Sequence, residues 1–155
     1  MPVKDSEIAQ IVAAIWQSVL GIECVPTTDL PGASGSTMLG CVHITGSWQG
    51  AVVLGCPRAF ASRAATIMFN TSQEDCNVTD MQDAVAELTN MIGGNLKGLF
   101  SYDHACQLSL PSVVTGTDYT TRIPGSQPLN RIAIECGDHV IVINVLEKLA
   151  AANAA

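Results

Sequence analysis

One stretch, residues 79–100, constrains this chain more than any other. At the 100° per residue of an α-helix, Met81, Ala84, Val85, Leu88, Met91, Ile92, Leu96 and Leu99 gather on one side. A helix with so continuous an apolar side must lie on an apolar layer. Thr79 followed by Gln82 reads as its N-cap and capping box. Gly93 and Gly94 lie inside it, each unfavourable by about 1 kcal/mol relative to Ala. Two adjacent helix glycines need a reason, and close approach of another backbone is the expected one. The opposite side carries Asp83, Glu87, Asn90, Gly94 and Lys97. Their spacings keep them in one narrow stripe, a polar platform with a carboxylate and a carboxamide one turn apart. Any surface helix turns polar residues outward, so the stripe alone is compatible with a plain solvated face. Mid-helix Asn beside glycines, however, is not a choice that helix propensity explains.

The rest of the chain supplies the layer for that helix to cover. Ile8, Ile11, Val12, Ile15 and Val19 recur at helical spacing, so a first helix is expected over residues 6–20, with Gly21 ending it. Trp16 is placed at the border of its apolar side. Residues 27–36 are rich in Pro, Gly, Ser and Thr and read as a loop. Two apolar runs, 37–45 and 49–56, flank Gly46 and Ser47 and predict a β-hairpin. Pro57 stands at the first position of a second helix that ends near Asn70. Beyond the long helix, strands are expected over 106–110, stopped by Pro111, and over 112–116. A polar loop covers 117–127. Two strands, 129–135 and 139–145, join through Gly137-Asp138, a hairpin pair. The class is α+β: one domain over residues 1–155, a largely antiparallel sheet with long helices packed on it.

Composition excludes several functions. The chain has 155 residues, a net charge of −7 and only 7 Lys and Arg. Without grouped cations, neither nucleic acid nor an anionic membrane surface is a suitable partner. The start of the chain has no basic leader or continuous apolar run, which gives a cytoplasmic expectation. Six scattered cysteines form no Cys-x-x-Cys pair, so reduced and mostly buried thiols are expected rather than a zinc site. His43, His104 and His139 lie far apart, and no metal site is expected. With 48% hydrophobic and only 14% charged residues, part of the apolar surface is expected to meet a partner or a second copy.

The segment from Asp83 through Glu87 and Asn90 to Gly94 resembles the signature of the CheC, FliY and CheX phosphatases. That signature is an acidic residue or Ser, a Glu four residues later, an Asn three later and a Gly soon after, with a proline downstream. Here the proline is Pro111, at a spacing a little shorter than the family's. The order of helices and strands resembles that family as well. Its CheC-like members carry two such helices. The first helix here reads Glu7-Ile-Ala-Gln10 and lacks the Asn, so the single motif is closer to CheX, which works as a dimer with one active helix per chain.

The resemblance implies a phosphatase acting on the phospho-aspartate of a CheY-type response regulator in chemotaxis. The catalytic residues it implies are Glu87, contacting the receiver's lysine, and Asn90, orienting a water on the phosphorus. Asp83, Gly94, Lys97 and Pro111 would meet the substrate protein. The resemblance implies no cofactor of the chain's own, because the receiver holds the magnesium. It also implies a phosphorylated receiver domain as partner and a homodimer. Two alternatives stand beside this: a non-catalytic response-regulator-binding module of the same fold, and a small-molecule-binding domain with an apolar pocket.

Overall fold

The computed structural model describes residues 3–29, 36–100, 106–116 and 122–149. Its elements run α1 (Asp5–Ile15), a π-helical turn (Trp16–Leu20), β1 (Cys24–Thr27), β2 (Thr37–Thr45), β3 (Gly50–Pro57), α2 (Arg58–Phe69), α3 (Val78–Phe100), β4 (Gln107–Leu108), β5 (Ser112–Gly116), β6 (Ser126–Cys136) and β7 (His139–Lys148). All seven strands join one antiparallel sheet in the order β1-β6-β7-β3-β2-β4, and β5 also pairs with β2. This is the α+β class that the hairpin signals predict.

The two predicted hairpins are β2–β3 and β6–β7. In the second, Gly137 adopts φ 63°, a conformation available to Gly at little cost. Period-two alternation sends Met38, Gly40, Val42 and Ile44 of β2 to the buried side, while His43 and Thr45 are exposed. From β3 and β7, Val52, Leu54, Cys56, Ile141, Ile143 and Val145 enter the same core. The helices close it with Ile8, Val12, Phe60, Ala64, Val85, Leu88 and Ile92.

Several expectations need correction. Strand β1 falls where no strand is predicted, and β6 begins at Ser126, inside the predicted loop. The predicted strand 106–110 is only the two residues of β4. Trp16 is not at a border: it is fully buried and stacks on Phe60, with ring centroids 6.0 Å apart. The turn it opens is π-helical and closes at Gly21, φ 65°. Pro57 is the last residue of β3 and the N-cap of α2 rather than its first residue. The cap of α3 is not the Thr79–Gln82 box. Asn77 Oδ1 accepts from the Asp80 N–H at 2.8 Å, and Asp80 Oδ2 accepts from the Asn77 N–H at 3.3 Å. This is the reciprocal logic of a capping box, built two residues earlier from Asn and Asp. The apolar strand β7 lies between β6 and β3, inside the sheet, and so presents no free edge.

Candidate functional site

Helix α3 is mounted on β2 by small residues. Val85, Thr89 and Gly93 follow each other at spacings of four and share one side. Thr89 is fully buried, and its hydroxyl donates to the Val85 carbonyl at 2.6 Å. A Cβ added to Gly40 of β2 would collide with Thr89 Oγ1 and reach 3.0 Å from Val85 Cγ1. A Cβ added to Gly93 would lie 2.7 Å from Val42 Cγ1 and 3.3 Å from Leu108 Cδ2. The reason for Gly93 is thus the Val42 side chain of β2, with β4 close behind, rather than another backbone. Gly94 is different: it is exposed, and the nearest atom to an added Cβ is Leu108 Cδ1 at 3.8 Å.

The underside of the helix is therefore fixed, and its outer stripe is free. Asp83, Glu87 and Gly94 are exposed, while Asn90 and Lys97 are half-buried. Glu87 and Asn90 are separated by about 4.5 Å along the axis. No side-chain hydrogen bond to a described residue restrains either. A carboxylate and an amide held this way are available to another molecule: the first accepts, and the second both accepts and donates. Leu99, expected in the core, is 40% exposed. With Asn95 it lines one wall of a groove of about 510 Å³ whose other wall is Glu7, Gln10 and Ala14 of α1 and Ser18 of the π-helical turn.

Pro111 is half-buried and joins β4 to β5, both of which touch α3. Pro111 thus lies in the short segment between two strands that border the helix carrying the stripe. His104 lies outside the described residues. Among the described residues, no cluster of three or more His, Cys, Asp or Glu has the arrangement to hold a metal ion, and no helix is long and apolar enough to cross a membrane.

The residues that sequence reasoning missed are structural partners of the site: Gly40, Thr89 and Asn77. A Gly at an inward position of β2, facing a row of small residues at spacing four, is the signal that could have found the first two.

Residues 38–135, from β2 through most of β6, match the model of a protein family described as chemotaxis phosphatase CheX. Three solved structures show the same fold. A chemotaxis protein CheX from Desulfovibrio desulfuricans is 22% identical, with a TM-score of 0.70 over 91% of this chain and 99% of that one. CheX from Vibrio vulnificus is 17% identical, with a TM-score of 0.74 over 92% and 95%. CheX from Borrelia burgdorferi, in a complex described as CheX-CheY-BeF3-Mg+2, is 18% identical, with a TM-score of 0.67 over 92% and 97%. No curated protein matches the sequence.

Proposed function

The chain belongs to the CheX family, and on that premise we propose that it is a phosphatase for the phospho-aspartate of a CheY-type receiver domain, with Asn90 orienting the attacking water and Glu87 gripping the receiver's lysine. One observation carries the reading. The motif pair stands on the unrestrained outer stripe of a helix whose opposite side is locked to β2. Such a platform brings two side chains to a partner's surface with little conformational adjustment of its own. The CheX–CheY complex of the Borrelia relative supports a receiver as the class of partner.

The chemistry asks little of the platform. Hydrolysis forms a bond from water oxygen to phosphorus and breaks the bond from phosphorus to the aspartyl oxygen. The leaving group is a carboxylate, which departs at neutral pH without a proton. No general acid is needed, and the difficulty is to hold water in line with the phosphorus. The Asn90 amide orients water without adding negative charge beside the phosphoryl group. Glu87 pairs with the lysine through a charge-assisted hydrogen bond that positions the receiver. Magnesium belongs to the receiver. Asp83, Gly94, Lys97 and Pro111 form the surrounding contact surface, with Gly94 giving the partner backbone room. The protein works in the cytoplasm as a homodimer, through a surface other than β7.

Separate measurements of receiver binding and turnover test the roles. Asn90→Ala is expected to keep binding and lose turnover, and Glu87→Ala to weaken binding. A wild-type protein that binds the receiver without accelerating loss of phosphate would establish the non-catalytic module instead.

A further inference from the structure

None of the six cysteines is disulfide-bonded; three are buried and three half-buried. Two of them meet. Cys24 opens β1 and Cys136 closes β6, and the antiparallel register sets them directly opposite one another. Directly opposed residues of an antiparallel pair have Cα atoms about 4.5–5.5 Å apart, inside the range a disulfide spans. Their Sγ atoms lie 3.3 Å apart. Cys41 lies beside His43, Cys76 beside the Ser62 carbonyl and Cys106 beside Ser47. Cys56 is fully buried, and burial pushes its thiol up to about 12.

We propose that Cys24 and Cys136 are a dithiol oxidation site, closed to an intrachain disulfide across β1 and β6 by a low-molecular-weight disulfide of the glutathione type. The two thiols have different roles. β1 is an edge strand, and Cys24 is half-buried, so an oxidant reaches it. Cys136 is fully buried behind it. The hydrogen bond between the two sulfurs holds the Cys24 thiol below its ordinary value, against the opposing effect of burial, and favours the thiolate there. The Cys136 thiol is pushed up by the same contact and by burial. The buried Trp16 indole N–H makes no hydrogen bond to a described residue, but it faces Cys136 and offsets part of that rise.

The reaction balances in two exchanges. Cys24 thiolate attacks one sulfur of the small disulfide, forming a mixed disulfide and releasing one thiolate, which takes up a proton. Cys136 then gives up its proton and attacks the Cys24 sulfur. The mixed S–S bond breaks, and the second small thiolate leaves and is protonated. Two protein thiols are oxidised, and one small disulfide is reduced to two thiols. The staple would close a loop of most of the chain and secure an edge strand of four residues. It sits at the β1 edge, separated from β2 and its helix α3 by β6, β7 and β3, so it is testable without reference to the phosphatase reading.

The experiment is incubation of the folded, reduced protein with oxidised glutathione, followed by quenching with a thiol-alkylating reagent and peptide mapping by mass spectrometry. The expected result is a single cross-link joining the Cys24 and Cys136 peptides, reversed by a dithiol reductant, with a higher melting temperature in the oxidised form. In Cys136→Ser, glutathione is expected to remain attached to Cys24. A cross-link between Cys56 and Cys136, or a wild-type protein whose Cys24 stays alkylatable under these conditions, would overturn the proposal.

Discussion

The three glycines at the end of α3 separate what holds the helix from what the helix offers. Each is replaced by Ala in turn. In a helix interior that change stabilises by up to about 1 kcal/mol when the new methyl has space. Gly98 has nothing within 4 Å of an added Cβ, so Gly98→Ala is expected to gain about 0.5–1 kcal/mol, somewhat reduced because it lies in the last turn. Gly94 has ordinary contact room, 3.8 Å to Leu108 Cδ1, and Gly94→Ala is expected to gain a similar amount. Gly93 has neither space nor a yielding neighbour. Its new methyl meets Val42 Cγ1 at 2.7 Å, and Val42 is β-branched and stiff at χ1. Overpacking of this kind costs about 1–3 kcal/mol. Against the propensity gain, Gly93→Ala is expected to lose about 1 kcal/mol net. For a domain of this size each kcal/mol moves the melting temperature by about 2–4 °C. Thermal and urea unfolding of the three variants, combined with receiver-dephosphorylation kinetics, read both effects. Gly94→Ala is the informative case: more stable than wild type, yet with KM for the receiver raised about tenfold, roughly 1.4 kcal/mol, because the methyl occupies the space left for the partner. A Gly93→Ala protein more stable than wild type would refute the packing argument, and a fully active Gly94→Ala would refute the docking argument.

Further outcomes follow from other contacts. Gly40→Ala is expected to destabilise by about 2–3 kcal/mol through its collision with Thr89, and Thr89→Ala in the same chain to recover part of that loss in a double-mutant cycle of denaturant unfolding. Asn77→Ala removes the reciprocal cap of α3 and should cost about 1 kcal/mol in the same assay. The Cys56 thiol, at 9.0 ordinarily and about 12 in the fold, keeps its proton in the folded state while the unfolded chain loses it. Its contribution is therefore intact below pH 9 and is lost as pH rises towards 12, at about 1.4 kcal/mol per pH unit. Cys56→Ala should flatten the alkaline fall in melting temperature.

What could be read ahead of the structure was whatever has a long period. The α3 pattern, the first helix, and the hairpins around Gly46-Ser47 and Gly137-Asp138 all repeat over enough residues to reveal their faces. Strand β1 does not: its four residues include Pro26, and among the described residues only one strand, β6, pairs with it. The start of β6 was hidden for a similar reason, because Pro128 and a register shift interrupt its ladder there. Trp16 stands where α1 gives way to a π-helical turn, beyond which an α-helical wheel no longer describes the chain. The polar stripe of α3 was legible from spacing alone. The rigid seat beneath it was not, since it depends on Gly40 meeting Thr89 across a long separation in sequence.

The proposed role of Asn90 rests on its amide placing a water beside another protein's acyl phosphate. The direct measurement is the first-order loss of phosphate from a phosphorylated CheY-type receiver, followed with saturating wild-type protein and with Asn90→Ala. Wild type is expected to accelerate the loss, and Asn90→Ala, still bound, to lower that acceleration about a hundredfold. Equal rates for the two proteins would contradict it.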